Sequence, residues 1–207
     1  GIAAKSHSSV VNITDTHSDN IVDAKYVWST SNNNNASTGT SFSSGDIIST
    51  NGLNGTYYLC VYALDDKGFY NNTCSNAFYF DNTAPTITVT LDDNNTVYKQ
   101  SHNAKIDVTN DEYGAELDID SFKYVWTKNI YVEPNESFTN GDTVTKNTGT
   151  GIYYVMVTAC DTLGNCNTYQ SNASKFDNDV PTIDYRIDTI NGERYIVIDA
   201  YDEHSGV

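Results

Sequence analysis

Four cysteines are the residues of this chain whose spacing points most directly to a particular chemistry. Cys60 and Cys74 are 14 positions apart, and Cys160 and Cys166 are 6 positions apart. Neither spacing matches the short gap between two zinc ligands, so disulfides are the favoured interpretation. The midpoints of the two pairs fall at 67 and 163, a difference of 96. We therefore predict the bridges Cys60–Cys74 and Cys160–Cys166, each within one hairpin and on the outer surface of its sheet, in an oxidising compartment.

Acid–base catalysis is the second chemistry that the residue types suggest. General bases are offered by four histidines, at positions 7, 17, 102 and 204, beside 27 acidic residues. With so many acids, a neighbouring pair of carboxylates is expected without any catalytic role. The chain contains no Gly-x-Ser-x-Gly elbow, no glycine-rich phosphate loop and no His-Glu-x-x-His motif. We therefore expect that this protein is not an enzyme.

Charge and hydropathy limit the partners. The 27 acidic residues outnumber 11 basic ones, which gives a net charge of −16. Such a chain repels nucleic acid phosphates and anionic lipid headgroups, so no nucleic acid partner is expected. The apolar stretches are far shorter than the roughly 20 residues that span a bilayer, so no membrane insertion is expected. The 16 tyrosines and a hydrophobic fraction of 38% supply enough material for a folded core.

An internal repeat with a shift of 96 positions organises the chain. Ser75-Asn76-Ala77 and Phe80-Asp81-Asn82 recur as Ser171-Asn172-Ala173 and Phe176-Asp177-Asn178. In the same way, Pro85-Thr86-Ile87 recurs as Pro181-Thr182-Ile183. A unit of this length fits a seven-stranded β-sandwich and is too long for a solenoid repeat.

Alternating side chains predict strands within each unit. Residues 57 to 64 place apolar side chains at every odd position, and residues 153 to 160 repeat the pattern. A period of two assigns the odd set to the core and the even set, with Cys60 and Cys160, to the outer face. The shared Tyr-Val-Trp motif places Trp28 and Trp126 at equivalent core positions. The predicted class is all-β, with antiparallel sandwiches in tandem.

The domain boundaries follow from the two prolines that succeed Phe-Asp-Asn. They predict a first domain over 1–83, a second over 84–180 and the start of a third over 181–207. The first domain lacks an equivalent of the strand after Pro85. Two explanations remain: the chain is a window from a longer array, or a neighbouring subunit supplies the missing strand, which would be self-association by strand exchange.

The order of three motifs resembles that of bacterial immunoglobulin-like repeats in cell-surface proteins and adhesins. The motifs are Tyr-Val-Trp at 26–28, the run at 55–68 and Phe-Asp-Asn-Thr-Ala-Pro-Thr-Ile at 80–87. The resemblance covers nearly the whole chain and implies tandem antiparallel immunoglobulin-like β-sandwiches. It also implies an extracellular location at the cell surface or cell wall, with neighbouring repeats as partners. The expected function is a spacer or stalk in a surface protein, adhesin, S-layer or filament.

The same resemblance implies calcium at the junctions between domains. In immunoglobulin topology the entry to a domain, the loop between its second and third strands and its last hairpin turn share one end. Acids from these segments would converge, and some similar adhesin arrays stiffen their junctions with calcium, a hard cation that prefers oxygen ligands. The predicted ligands are Asp81, Asp111, Glu112 and Asp161 at the first junction, and Asp177, Asp179, Asp202 and Glu203 at the second.

A module that binds a glycan or a host protein is the alternative function. Aromatic side chains on the outer strands would stack on sugar rings, namely Tyr58, Tyr62, Phe69 and Tyr70. The second copy has Thr158 in place of Tyr62, so this surface is not repeated. Tandem repetition without concentrated chemistry favours the spacer.

Overall fold

The computed structural model describes residues 1–17, 20–93, 95–111 and 114–206. Over these ranges the secondary structure is β-strands, with one short 3-10 helix at Ala36–Thr38 and no α-helix. The paired strands run antiparallel in both repeats and in the segment after them. The predicted all-β class with antiparallel sheets is confirmed.

The first repeat contains two sheets. Its strands are β1 Ser6–Val10, β2 Ile21–Ser29, β3 Thr40–Ser41, β4 Ile47–Asn51, β5 Gly55–Asp65, β6 Tyr70–Cys74 and β7 Phe78–Phe80. The larger sheet has the order β3-β2-β5-β6, and β7 pairs with the beginning of β5. The smaller sheet consists of β1 and β4. The two sheets give this repeat a sandwich-like arrangement.

The second repeat contains the same strands and one more. Its strands are β8 Thr86–Leu91, β9 His102–Thr109, β10 Leu117–Thr127, β11 Glu136–Ser137, β12 Thr143–Lys146, β13 Gly151–Asp161, β14 Cys166–Gln170 and β15 Ser174–Phe176. The larger sheet has the order β11-β10-β13-β14, and β15 pairs with β13. The smaller sheet has the order β12-β9-β8, so β8 is the strand that the first repeat lacks among the described residues.

A two-stranded hairpin follows the second repeat. It pairs β16 Thr182–Ile190 with β17 Glu193–Tyr201. Asn191 and Gly192 form the turn, and both have a positive φ, of 53° and 87°. This backbone matches the right-handed twist of the strands, which is why Asn-Gly favours a tight hairpin.

Equivalent contacts recur in the two repeats. Trp28 meets Phe80 edge-on at 5.6 Å between ring centroids, and Trp126 meets Phe176 in the same way at 5.7 Å. Both phenylalanines are fully buried, whereas both tryptophans are half-buried. The two tryptophans therefore occupy equivalent positions, and the phenylalanines form the innermost part of each core.

Equivalent hydrogen bonds from a backbone N–H to a serine hydroxyl give the same register in both repeats. The N–H of Leu59 donates to Ser75 Oγ at 3.0 Å, and the N–H of Val155 donates to Ser171 Oγ at 2.8 Å. Leu59 and Val155 both face the core and are buried. A slip of one residue in either strand would send this side chain to the opposite face, so the register of 96 residues holds through the core.

The structure contains the bridges Cys60–Cys74 and Cys160–Cys166. In each case the two cysteines lie directly opposite one another, on β5 and β6 and on β13 and β14. These are the pairs that the hairpin register predicts. The second bridge reaches the surface at Cys166, which is exposed.

The expectation that both bridges lie on the outer surface is wrong for the first. Cys60 is fully buried, although it points to the outer face of its sheet. The segment that contains the 3-10 helix folds over this face: the N–H of Ala36 donates to Asn72 Oδ1 at 2.8 Å, and Asn72 Nδ2 donates to the carbonyl of Asn34 at 2.9 Å. Strand alternation indicates the face of a residue but does not reveal a loop that covers it.

The chain divides into two compact units. The first comprises Gly1–Pro85, Asn110–Leu117 and Asp161–Asn165, and the second comprises Thr86–Thr109, Asp118–Cys160 and Cys166–Val207. Two loops of the second sequence repeat therefore belong to the first unit. The division into 1–83, 84–180 and 181–207 remains a prediction from the sequence.

Candidate metal centres

The first candidate centre lies in the first compact unit and contains Asp81, Asp111 and Asp161, whose ligand atoms are not all within 4.8 Å of one another. Asp81 directly follows β7 and is 0% exposed, and Asp161 ends β13 and is 1% exposed. Asp81 accepts hydrogen bonds from the N–H of Thr83 at 3.0 Å and from the N–H of Ala115 at 2.5 Å. Backbone donors thus hold this carboxylate in a fixed orientation.

Asp161 is held by the turn that follows its strand. Its Oδ1 accepts the N–H groups of Leu163 and Asn165, both at 2.9 Å. Its Oδ2 accepts Asn165 Nδ2 at 2.7 Å, and the same amide nitrogen lies 3.2 Å from the carbonyl oxygen of Asp81. Asn165 therefore bridges the two buried acids, a role that its sequence position alone does not suggest.

Asp111 experiences the charges of the other two acids. Loss of solvation and the negative charges of Asp81 and Asp161 raise the pKa of Asp111 above its usual range. Within the described residues, no Lys, Arg or His forms an ion pair with any of the three. The predicted fourth ligand, Glu112, lies outside the described residues. These three carboxylates therefore lie near one another without an ion pair among the described residues, which is the electrostatic situation that a hard cation relieves.

The second candidate centre lies in the second compact unit and contains Asp177, Asp179 and His204. Each offers one ligand atom, and these atoms all lie within 4.8 Å of one another. The N–H of Asp179 donates to Asp177 Oδ1 at 3.1 Å, and the ring of His204 meets that of Tyr98 at 5.2 Å between centroids. Two of the four predicted ligands thus come together, with a histidine that the sequence argument did not include.

The other two predicted ligands at this junction, Asp202 and Glu203, do not belong to that group of ligand atoms. Asp202 Oδ1 instead accepts the N–H groups of His204 at 3.0 Å and Ser205 at 2.8 Å. These hydrogen bonds lower the pKa of Asp202 below its ordinary value. Asp202 shapes the turn that carries His204, and Glu203 is exposed. The sequence signal that could have identified His204 as a ligand is its position two residues after Asp202, the aspartate that forms the turn.

A third cluster, which sequence reasoning missed, lies between β8 and β9. His102 is fully buried, its Nδ1 lies 2.9 Å from Asp92 Oδ1, and its Nε2 lies 2.8 Å from the carbonyl oxygen of Lys175. Because a carbonyl oxygen can only accept, Nε2 carries a proton. Lys99 Nζ lies 3.0 Å from Asp93 Oδ2. The acids of this cluster thus have a cationic partner, Lys99, in contrast to those of the first centre.

The pKa of Asp93 reflects the charges that surround it in the third cluster. Burial opposes its ionisation, yet the N–H of Asn95, the ammonium of Lys99 and the field of His102 together lower the pKa of Asp93. The ligand atoms of Asp92, Asp93 and His102 lie within 4.8 Å of one another, so this cluster is also a group that could hold a metal ion. Unlike the acids of the first centre, its acids have Lys99 and His102 as partners within the described residues.

No family model matches the chain, and no curated protein matches it in sequence. Among the described residues, no helix is long and apolar enough to cross a membrane. The two disulfides indicate an oxidising, extracellular environment.

Proposed function

We propose that this chain provides spacer repeats, folded as tandem immunoglobulin-like sandwiches, in an extracellular surface protein, adhesin, S-layer or filament. The observation that carries the proposal is the repetition of one set of structural contacts in two copies, each with its own disulfide. A spacer needs stable units in series and no concentrated reactive groups. Both requirements agree with the repeated cores and with the absence of a catalytic motif.

The end of each repeat is fastened by one asparagine. Asn82 Nδ2 donates to the carbonyls of Leu53 at 2.8 Å and Lys5 at 3.1 Å. Asn178 Nδ2 donates to the carbonyls of Gly149 at 2.8 Å and Gln100 at 3.1 Å. A side chain that ties the exit of a repeat to two other segments resists peeling of the last strand, which suits a unit under tension.

Calcium at the junctions is part of this proposal. Asp81, Asp111 and Asp161 offer oxygen ligands and have no cationic side chain in an ion pair with them in the part of the chain that the structure describes, so a hard divalent cation would lower their mutual repulsion. Asp177, Asp179 and His204 form the second candidate, where the histidine nitrogen also suits a transition metal. Binding at the first centre would stabilise the loops that carry Asp111 and Asp161 against the end of β7.

Single-molecule pulling of the chain from both ends tests the spacer function. Two separate unfolding events are expected, one for each repeat. Each disulfide prevents the residues between its cysteines from extending under force. Reduction should therefore increase the gain in contour length by about 50 Å in one unfolding event and by about 20 Å in the other, at about 3.4 Å per residue. A single unfolding event, or one without these two increments, would contradict independent units in series.

Isothermal titration with calcium tests the first centre. The unmodified chain should bind, and Asp111→Asn should weaken binding because it removes one carboxylate from the group. Asp120→Asn is the matched control, since Asp120 is exposed on β10 and its side chain is not part of the cluster. Equal binding by all three proteins would contradict calcium binding at this centre, but it would not contradict the spacer function.

A glycan-binding module is the second candidate function. Its support is the aromatic pair Tyr62 and Tyr70, whose rings lie 5.7 Å apart with an interplanar angle of 30°, beside the exposed Phe69. A glycan and protein array would decide between the functions. Specific binding that is lost in Tyr70→Ala would favour recognition over a spacer role.

A further inference from the structure

A groove lined by apolar side chains and by polar ones, among them Asp15, Asp65 and Asn71, runs along the open side of the first repeat. It encloses about 420 Å³ and is lined on one side by Val61, Ala63 and Thr73 of the larger sheet, and on the other by Val11 and Ile13 after β1. Val61 and Ala63 point inward from β5 but are only half-buried. The groove is therefore an uncovered part of a core.

The second repeat shows what fills this position. Its counterparts of Val61 and Ala63 are Val157 and Ala159, and both are fully buried. There, β8 lies against β14 and pairs with β9. Ile87 lies opposite Val108, and Val89 lies opposite Ile106. An extended strand with apolar residues at alternate positions is thus the structure that completes this fold.

The hairpin after the second repeat carries such a strand. Pro181-Thr182-Ile183 repeats the Pro-Thr-Ile that begins β8, and β16 continues with apolar residues at alternate positions. Ile183, Tyr185 and Ile187 lie on one face of β16 and are 71%, 72% and 54% exposed. Apolar side chains this exposed on one strand face are typical of a contact surface.

We propose that the groove of the first repeat binds β16 of a second copy of this chain. The incoming strand adds to β1 by β-augmentation, with backbone hydrogen bonds to β1 and side chains in the groove. The spacing of the repeat sets the register. By analogy with β8 on β9, Ile183 lies opposite Ile13, Tyr185 opposite Val11 and Ile187 opposite Ser9. Residues 11 to 15, which follow β1 without strand structure, would extend that strand.

Sedimentation velocity over a concentration series tests this interaction with the whole 207-residue chain. The unmodified chain should associate, and Ile183→Asp should weaken association by about tenfold or more, since it would place a charge against the apolar side chains of the groove and near the carboxylates of Asp15 and Asp65 that also line it. Thr182→Asp is the matched control, because the same charge then points away from the groove. Thr73→Glu, at the exposed rim of the groove, should weaken association as Ile183→Asp does.

Mixing the two defective variants distinguishes this interface from any other. Ile183→Asp retains a normal groove and Thr73→Glu retains a normal β16, so their mixture should form a heterodimer and nothing larger. If the two hairpins instead contacted each other, Thr73→Glu would associate as well as the unmodified chain, and the proposal would be overturned. A chain that stays monomeric at all concentrations would also overturn it.

Cysteine trapping tests the register. A chain with Ser9→Cys, mixed with a chain with Ile187→Cys, should form an intermolecular disulfide, whereas Ser8→Cys should not because its side chain points to the other face. A peptide with the sequence of residues 84–92 should compete for the groove and dissolve the assembly. If the peptide binds while the unmodified chain remains monomeric, the groove accepts a strand but not that of a second copy.

Discussion

The smaller sheets of the two repeats differ by one strand, and the residues beside that strand differ in burial. β9 lies between β12 and β8, whereas β1 is paired with β4 alone within the described residues. Ile106 and Val108 of β9 are buried, but their counterparts Val11 and Ile13 are half-buried and follow the end of β1. A neighbouring strand thus supplies both the backbone partners that extend a strand and the side chains that cover it.

The same difference changes the surroundings of an equivalent histidine. His7 Nε2 lies 2.9 Å from the carbonyl oxygen of Tyr79, as His102 Nε2 lies 2.8 Å from that of Lys175. Among the described residues, His102 also has a carboxylate partner, Asp92, which belongs to the loop after β8, and His7 has no such partner. The extra strand therefore completes a core, and the loop after it places Asp92 beside the buried ring of His102.

Removal of each disulfide should give the largest effect. Replacing Cys60 and Cys74 by alanine should destabilise the first repeat by about 3 kcal/mol, and replacing Cys160 and Cys166 should destabilise the second by about 2.5 kcal/mol, because the loop they close is shorter. Urea unfolding measures each repeat separately: Trp126→Phe leaves Trp28 to report the first repeat, and Trp28→Phe leaves Trp126 to report the second.

The rates of reduction sharpen this prediction. Under native conditions the Cys160–Cys166 bridge should react first with a thiol reductant, since Cys166 is exposed and Cys60 is buried. Mass spectrometry after alkylation would show the order. Simultaneous reduction of both bridges would mean that the segment around the 3-10 helix does not protect the first one in solution.

A matched pair of core substitutions tests the missing strand directly. Val157→Ala should destabilise the second repeat by about 2 kcal/mol, because it removes buried methyl groups and leaves a cavity. Val61→Ala should lower the free energy of unfolding of the first repeat by less than half as much, since the side chain of Val61 borders the groove. Equal losses in dilute solution, where the chain is monomeric, would show that the groove is already closed.

The two acidic clusters should respond to substitution with opposite signs. The pKa of Asp111 is raised in the folded protein, so its ionisation opposes folding: stability from this group is present below pH 4 and is lost as pH rises through the raised pKa. Asp111→Asn should therefore stabilise the calcium-free protein at pH 7 and have little effect near pH 3.

The pKa of Asp93 is lowered, so its contribution is present above pH 4 and is lost as pH falls through the lowered pKa. Asp93→Asn should destabilise the second repeat at pH 7 and have little effect at a pH below the lowered pKa. Both effects should be smaller than those of the disulfides and the core valines. Urea unfolding at pH 3 and pH 7 is the measurement, and effects of equal sign at pH 7 would contradict the distinction between the clusters.

The repeat of 96 residues, the strand faces and the two cysteine pairs were accessible from the sequence alone. All three depend on spacing along the chain: strand alternation has a period of two, and a hairpin places residues opposite one another at equal distances from its turn.

Only the tertiary structure decided which loops approach one another. It placed residues 31–38 over Cys60, joined His204 to Asp177 and Asp179, and assembled Asp92, Asp93, Lys99 and His102 into one network. These contacts link segments without periodic pattern, and their geometry follows from the path of each loop over a finished sheet. Alternation specifies the face of a strand residue, whereas the segment that covers this face depends on the folded chain as a whole.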